Sequence, residues 1–226
     1  MTAEEITTIF LSLKVALLAT LFSMPAALVI AYILARKNFW GKWLLSAVAH
    51  LPLLLPPVVT GFILLIAFGR TGIIGAPLYQ LTGFTFAFRW TGAALAAAIM
   101  TLPVMIPPIR IAFEAINPEL EDAALDLGAS RWQRFVTVSL PLASPGILAA
   151  LALGYVKSLG EFGATITFVS NIPGETQTLA LAIHTLLQVP NGDAAAFRLV
   201  WFSIALAVAA LLASETLAQK MRRKQR

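Results

Sequence analysis

The 226-residue sequence is 59% hydrophobic and only 12% charged, whereas a soluble domain would carry about 25% charged residues. Such a chain cannot cover itself with polar surface in water, which excludes an ordinary soluble domain and predicts a lipid membrane as its surroundings. The formal net charge of +5 does not indicate a nucleic-acid partner, because five of the basic residues form a tail at 219–226 behind an apolar segment, where they are expected to anchor the chain at a membrane.

Hydropathy predicts one membrane domain over residues 1–226, an all-α polytopic bundle of about five transmembrane helices. The predicted spans are residues 9–34, 44–68, 91–113, 138–158 and 198–218. Basic residues are concentrated in the first and third links and in the tail. The positive-inside rule therefore places the amino terminus outside and the carboxyl tail in the cytoplasm.

Two successive spans share the proline pattern LPxxxPP, as LPLLLPP in Leu51–Pro57 and LPVMIPP in Leu102–Pro108. Proline removes a helical hydrogen bond and clashes with the preceding turn, so it kinks helices. Two interpretations stay open: simple tolerance of proline in membrane helices, or flexible inner ends that move during transport. The helix-kink candidates are Pro52, Pro56, Pro57, Pro103, Pro107, Pro108 and Pro141.

The third link, residues 115–137, has strong helix signals for a connection. Asn117 is a good N-cap with Pro118 at the first helical position, and Gly128 is a typical helix stop. Ser130 with Gln133 three residues later forms a capping box that begins a second helix. We therefore expect two short helices that meet at Gly128.

The first of these helices carries an apolar stripe with small residues at its centre, formed by Leu120, Ala123, Ala124 and Leu127. The apolar stripe of an amphipathic helix is normally buried against another part of the protein or against a partner. From the pattern alone, the stripe could pack against the chain's own helix ends or against another protein.

The same segment, EDAALDLGASRWQRFVTVSLPLASPG, resembles the EAA loop of bacterial ABC importer permeases, with Asp122 in place of the usual glutamate and Val138 in place of the usual isoleucine. The resemblance implies the type I ABC importer permease fold. It also implies that Glu121 to Gly128 form a cytoplasmic coupling helix that docks in a groove of a separate ATPase. The ATPase-coupling candidates are Leu120, Glu121, Asp122, Ala123, Ala124, Leu127, Gly128, Ala129 and Trp132.

No nucleotide-binding G-x-x-x-x-G-K-[ST] loop occurs in the chain. No local constellation of residues indicates catalysis either. We therefore expect a transport subunit that is not itself an enzyme and binds no cofactor, while ATP and Mg are used by the partner ATPase. With no cysteine and two histidines, the sequence indicates no metal site.

A second segment, SLGEFGATITFVSNIPGETQTLALAI at 158–183, resembles the molybdate branch of the permeases for tetrahedral oxyanions. This resemblance implies a bacterial inner-membrane subunit that works as a homodimer, with an ABC ATPase dimer and an extracytoplasmic molybdate-binding protein. The small residues GAALAAA at Gly92–Ala98 would permit close helix contact in support of a dimer. The alternatives are another oxyanion such as sulfate or tungstate, and a gradient-driven secondary transporter, which would favour inverted repeats.

Lys157 and Glu161 lie four residues apart near the predicted outer end of the fourth span and can pair. With Thr165 they are candidates for the pathway or gate, since ionisable groups at membrane depth are often functional. The alternative is an interfacial ion pair. Lys14 and Arg198 are expected to extend to the outer surface, and residues 179–187 are expected to form a helix too short to cross the membrane.

Overall fold

The computed structural model describes the backbone of residues 2–224 and the side chains of residues 2–213 and 216. Within this part the chain is α-helical, with a single π-helical turn. The α-helices are α1 (Ala3–Arg36), α2 (Lys42–Leu54), α3 (Pro57–Phe68), α4 (Gly75–Thr82), α5 (Trp90–Glu114), α6 (Pro118–Asp126), α7 (Arg131–Arg134), α8 (Leu140–Leu159), α9 (Gly163–Val169), α10 (Leu179–Leu186) and α11 (Asp193–Lys224).

In the described part of the chain, four helical segments are long and apolar enough to cross a membrane: α1, α5, the continuous stretch Arg131–Leu159, and Asp193–Ala213 of α11. The pair α2 and α3 makes a fifth only if it is counted as one broken span. The predicted all-α membrane bundle is therefore confirmed. The predicted basic tail at 219–226 lies outside the described side chains.

The second predicted span, residues 44–68, is wrong as a single helix. Its two halves meet at 107°, with Leu55 and Pro56 in extended or near-extended conformation between them. Pro56 precedes α3 and Pro57 occupies its first turn, while Pro52 lies inside α2. Two consecutive prolines remove two backbone donors and force the residue before them out of the helical region, so the chain turns.

The second proline motif behaves differently, because α5 runs without a break through Pro103, Pro107 and Pro108. The span of α5 is the most buried of the four long candidates in the described chain. Neighbouring helices hold it in place on several sides, and a membrane helix surrounded in this way tolerates prolines. The first motif therefore breaks its helix and the second does not, and movement of these ends during transport stays a prediction.

Helix α1 runs parallel to α5 along its whole length. The Lys14 ammonium, about a third of the way along α1, lies 3.5 Å from the centre of the Trp90 ring at the start of α5. Further along both helices, Ser23 donates to the Ala98 carbonyl at 2.7 Å. Helix α8 runs the opposite way, since Gly154 lies near the middle of α5 and Gly146 near its end. Helices α5 and α8 thus run in opposite directions, as expected for successive membrane spans.

Small residues make the contact between α1 and α5 close. Ala16, Ala19, Ala27 and Ala31 of α1 are fully buried, as are several residues of the GAALAAA segment. Gly92 of the same segment packs elsewhere, since a Cβ there would lie 2.1 Å from the Phe86 carbonyl and 2.6 Å from Val169 of α9. The structure thus corrects the use expected for this segment: its small residues serve packing inside one chain rather than contact between two.

Two polar contacts hold the end of the bundle at which α1 begins. Arg198 at the start of α11 donates to Glu5 of α1 at 2.7 Å. Lys14 lies over Trp90. Both cations are exposed, as predicted, and each also contacts a group of its own chain.

The loop between α9 and α10 is fastened to α1 by Ser12. Its hydroxyl accepts a hydrogen bond from the Leu179 backbone N–H at 2.7 Å and donates to the Thr8 carbonyl at 2.8 Å. Both contacts are buried. The N–H of Leu179 belongs to the first turn of α10, where helical partners are missing, so Ser12 supplies the partner that this helix end needs.

We expect Ser12→Ala to lower the stability of the purified chain by about 2 kcal/mol, because it leaves a buried N–H without an acceptor. Ser203→Ala is the matched control, since the Ser203 hydroxyl donates only to the Leu199 carbonyl four residues earlier in its own helix. Thermal unfolding in detergent measures both. Equal unfolding temperatures for the two variants would contradict this role of Ser12.

Candidate functional site

Helix α6 begins as its sequence predicts. The Asn117 side chain accepts a hydrogen bond from the Glu119 backbone N–H at 3.1 Å, and Pro118 follows at the first helical position. Glu119 and Glu121 place negative charge in the first turn, where the helix dipole favours it. Local interactions alone therefore define this end of the helix.

Its other end is a Schellman motif centred on Gly128. The N–H of Ala129 bonds the Ala124 carbonyl at 3.0 Å, and that of Gly128 bonds the Leu125 carbonyl at 2.9 Å. Gly128 has φ of +86°, a left-handed conformation that other residues adopt only with strain. A Cβ there would meet nothing within 4 Å, so the backbone conformation, not space, requires glycine.

Helix α7 begins with the predicted capping box. Gln133 N–H donates to the Ser130 hydroxyl at 3.2 Å, and the Gln133 side chain accepts from the Ser130 N–H at 2.8 Å. The Trp132 ring stacks on Phe135 at 5.8 Å. Phe135 in turn packs edge-on against Tyr32 of α1 at 5.1 Å, so aromatic contacts tie this segment to the bundle.

A π-helical turn over Phe135–Ser139 joins α7 to α8, and Pro141 lies in the first turn of α8. We did not predict this turn. Its only signal in the sequence is Pro141, which cannot donate in the regular helical pattern. Such turns occur as local bulges in helices, frequently at functional sites.

Glu121 is the buried residue of α6 and points into the bundle. Its carboxylate accepts a hydrogen bond from the Ser139 hydroxyl at 2.6 Å and lies 3.2 Å from the Arg36 guanidinium at the end of α1. Arg36 also donates to the Ile116 carbonyl at 3.3 Å. Glu121 is therefore turned away from any docking partner, which corrects the expectation that it belongs to the exposed coupling surface.

The apolar stripe of α6 and the nearby Trp132 are exposed on the surface of the chain. Leu120 is 51% exposed, Leu127 is 89% exposed and Trp132 is 72% exposed. The stripe therefore does not pack against the chain's own helix ends, which was one of the two alternatives. Of the other coupling candidates, Asp122, Ala123 and Gly128 are exposed, and Ala124 and Ala129 are half-buried. We call this set, from Leu120 to Trp132 without Glu121, the α6 surface.

The three pathway candidates lie at the opposite end of the bundle from α6. Lys157 pairs with Glu161 at 2.9 Å, as predicted. The other carboxylate oxygen of Glu161 accepts from the Ala164 backbone N–H at 3.1 Å, so Glu161 caps α9. Thr165 is buried in α9. The structure brings Lys157 and Glu161 together, and their contacts join α8 to α9.

Helix α9 was not expected as a separate element. It packs so closely on α3 that a Cβ at Gly61 would lie 2.5 Å from the Ala164 carbonyl, and one at Gly163 would lie 2.7 Å from Pro57. In the sequence, Gly61 and Gly163 were the signal that two helices approach each other closely here. The short helix predicted at 179–187 is present as α10.

Among the described residues, no group of three His, Cys, Asp or Glu side chains is arranged to hold a metal ion. His50 contacts the Ser46 carbonyl at 2.8 Å, and His184 contacts Phe162 and Gln188. Both histidines therefore have local partners within their own part of the bundle.

The profile of the family described as "Binding-protein-dependent transport system inner membrane component" matches residues 23–223. The chain is 53% identical to the molybdenum transport system permease protein ModB of Escherichia coli (strain K12), over 99% of this chain and 98% of that protein. It is 52% identical to ModB of Haemophilus influenzae, over 97% and 96%.

Among solved structures, the fold is similar to that of a bacterial alginate ABC transporter in complex with an alginate pentasaccharide-bound periplasmic protein. The TM-score is 0.77 with 19% identity, and the match covers 98% of this chain and 80% of that one. At this identity the likeness concerns the fold alone.

We expect Glu121→Ala to lower the stability of the chain by about 3 kcal/mol, because it leaves the largely buried Arg36 without its carboxylate. Asp122→Ala, at the next position but exposed, is expected to change stability by less than about 0.5 kcal/mol. Thermal unfolding of the two purified variants measures both stability changes. A small effect of Glu121→Ala, matching that of Asp122→Ala, would rule out an anchoring role.

Proposed function

Because the chain belongs to the family of binding-protein-dependent transport system inner membrane components, we propose that it is the membrane permease subunit of an ATP-driven importer that carries molybdate into the cytoplasm. The observation that carries this proposal is the 53% identity to a molybdenum transport permease over 99% of the chain. The exposed α6 surface supports the coupling half of the proposal.

The α6 surface has the composition of a docking site. Its exposed leucines and Trp132 supply apolar area, and Ala123 and Ala124 allow a partner to approach closely. An amphipathic helix that lays such a face into a groove is a common mode of recognition. The exposed carboxylate of Asp122 lies at its edge, where it can meet basic residues of the partner. We assign the groove to a cytoplasmic ATPase dimer.

In this proposal the chain itself performs no catalysis and binds no cofactor. ATP and Mg are bound by the ATPase, since this sequence has no loop that could cradle nucleotide phosphates. ATP binding draws the two α6 helices of a homodimer together, and release of the products separates them. The contacts of Glu121 with Arg36 and Ser139 give α6 a direct connection to α1 and to the start of α8.

Two copies of the chain form the anion pathway in this proposal, and an extracytoplasmic molybdate-binding protein delivers the substrate. A single bundle has little internal room for a hydrated dianion, because its core of α1, α5 and α8 is filled by small and apolar side chains. Lys157, Glu161 and Thr165 remain the pathway candidates. Sulfate and tungstate remain the alternative cargoes.

The chain is a multi-pass protein of the bacterial inner membrane. We propose further that the amino terminus faces outward and the carboxyl tail faces the cytoplasm. Contacts between helix ends support this orientation, since Arg36 and Glu121 meet at one end of the bundle and Glu5 and Arg198 meet at the other. The first of these ends carries α6 and the basic links.

We expect vesicles that contain this chain, its ATPase and its binding protein to take up labelled molybdate only when ATP is present, and to do so in excess sulfate. Ala123→Trp is expected to reduce uptake at least about tenfold, which corresponds to a loss of roughly 1.4 kcal/mol of docking, because the bulky ring blocks the α6 surface. Ala123 is exposed, so this substitution should leave the fold intact.

Ala123→Ser is the matched control, since it keeps a small side chain at the same exposed position, and its uptake should equal that of the unaltered chain. Uptake that continues without ATP and collapses with the ion gradient would contradict the importer and favour a secondary transporter. ATP-dependent uptake that excess sulfate abolishes would keep the importer class and replace molybdate by sulfate.

The orientation predicts different accessibility of two highly exposed positions. Ile73, 85% exposed after α3, should lie outside, and Leu127, 89% exposed after α6, should lie in the cytoplasm. Because the chain has no cysteine, Ile73→Cys and Leu127→Cys each provide a single label site. In intact cells without outer membrane, a membrane-impermeant maleimide should label only Ile73→Cys, and Leu127→Cys should require lysis. The reverse pattern would overturn the orientation.

A further inference from the structure

A groove of about 510 Å³ lies on the flank of the bundle, along the last third of α1 and the start of α7. Its walls are apolar, with Leu28, Val29 and Tyr32 on one side and Trp132 and Phe135 on the other. Aromatic stacking between Trp132 and Phe135 at 5.8 Å holds the second wall in place. The groove shares Trp132 with the α6 surface, but its other lining residues belong neither to the proposed ATPase contact nor to the anion pathway.

Three cations line one part of it: Lys37, Arg131 and Arg134. None of them pairs with a carboxylate among the side chains that the structure describes. The Arg134 Nε is buried and has no hydrogen-bond partner there. A buried guanidinium nitrogen without a partner is costly, so this site has both the charge and the unmet hydrogen bond to receive an anion.

The groove has the dimensions of one leaflet. It extends along α1 from Pro25 to Lys37, and twelve steps of 1.5 Å give about 18 Å, whereas half of the hydrocarbon core is about 15 Å. Lys37 stands directly after the last residue of α1. The cations therefore lie at the level of lipid headgroups while the apolar wall continues into the hydrocarbon.

We propose that this groove binds one anionic phospholipid of the cytoplasmic leaflet, with its phosphate at Lys37, Arg131 and Arg134 and an acyl chain along α1. Basic pockets at the cytoplasmic ends of membrane helices favour such headgroups. A soluble partner could reach the cations but not the wall around Val29, which lies within a membrane-spanning helix. The assignment to the cytoplasmic leaflet rests on the proposed orientation.

The lipid would contact Trp132 and Phe135, the segment that connects α6 to α8. Its headgroup therefore lies beside the α6 surface, and its binding would hold the aromatic contacts of Phe135 with Tyr32 and Phe113. Through this position the charge of the membrane would stabilise the arrangement in which α6 meets its partner.

Native mass spectrometry of the purified full chain in detergent tests the proposal, with phosphatidylglycerol and phosphatidylcholine as probes. We expect one phosphatidylglycerol per chain to remain bound in preference to phosphatidylcholine. Arg131→Gln combined with Arg134→Gln should weaken its binding about 25-fold, or about fivefold for each charge removed. Lys37→Gln, at an exposed position that cannot disturb the core, should weaken it about fivefold.

Lys42→Gln is the matched control, because Lys42 follows α1 in the same basic link but lies outside the groove and contacts Asn38 at 3.4 Å; its binding should be unchanged. Val29→Trp fills the groove and should lower retention of phosphatidylglycerol. Equal retention of both lipids, or unchanged binding in Lys37→Gln and the double variant, would overturn the proposal. Displacement of the lipid by added ATPase would also overturn it and assign the groove to that partner.

This measurement needs neither transport nor ATP. A negative result would therefore leave the importer function standing, and a failure of molybdate uptake would leave the lipid site standing. The importer function and the lipid site can therefore be disproved independently of each other.

Discussion

Lipid offers no hydrogen bonds, so every backbone group at membrane depth must find its partner inside the protein. The long helices α1, α5, α8 and α11 meet this requirement by themselves. The irregular parts meet it by being covered: α3 and α9 follow breaks in the chain, and they pack against each other at Gly61 and Gly163 with almost no side chain between them. Glu161 and Ser12 accept hydrogen bonds from backbone N–H groups near the starts of α9 and α10. Breaks in the helices are thus confined to places where the chain itself supplies the missing partners.

The end of the bundle that carries α6 also depends on contacts within the chain. Helix α6 is held by its caps and by Glu121, while its other face is left open. Because Glu121 contacts Arg36 and Ser139, a displacement of α6 cannot occur without a change at the end of α1 and at the π-helical turn before α8. The proposed coupling role needs an open face for a partner and a firm connection to the spans, and adjacent residues of one short helix offer an exposed face and a buried carboxylate that contacts α1 and the π-helical turn.

The parts of this structure that depend on local rules could be predicted from sequence. Both ends of α6 and the beginning of α7 were predicted from Asn117, Gly128 and Ser130. The long spans were predicted from hydropathy. What could not be predicted depends on neighbours. LPLLLPP breaks its helix whereas LPVMIPP does not, because α5 is enclosed by other helices. The acidic pair Glu121 and Asp122 also looks uniform in sequence, yet helical geometry turns one carboxylate toward Arg36 and the other toward solvent.

Charge placement bears on how the cargo is chosen. The candidate pathway cation at the end of α8, Lys157, is paired with Glu161 at 2.9 Å, and Lys14 and Arg198 contact Trp90 and Glu5. Among these three cations, Lys157 and Arg198 are each paired with a carboxylate, whereas Lys14 keeps its positive charge over a neutral ring. Weak attraction of this kind suits a pathway, because a site that held molybdate tightly would slow its release. In the proposed importer, selectivity among oxyanions of similar shape would then be exercised before entry, by the protein that delivers the anion, and the permease would contribute the timing of passage through α6.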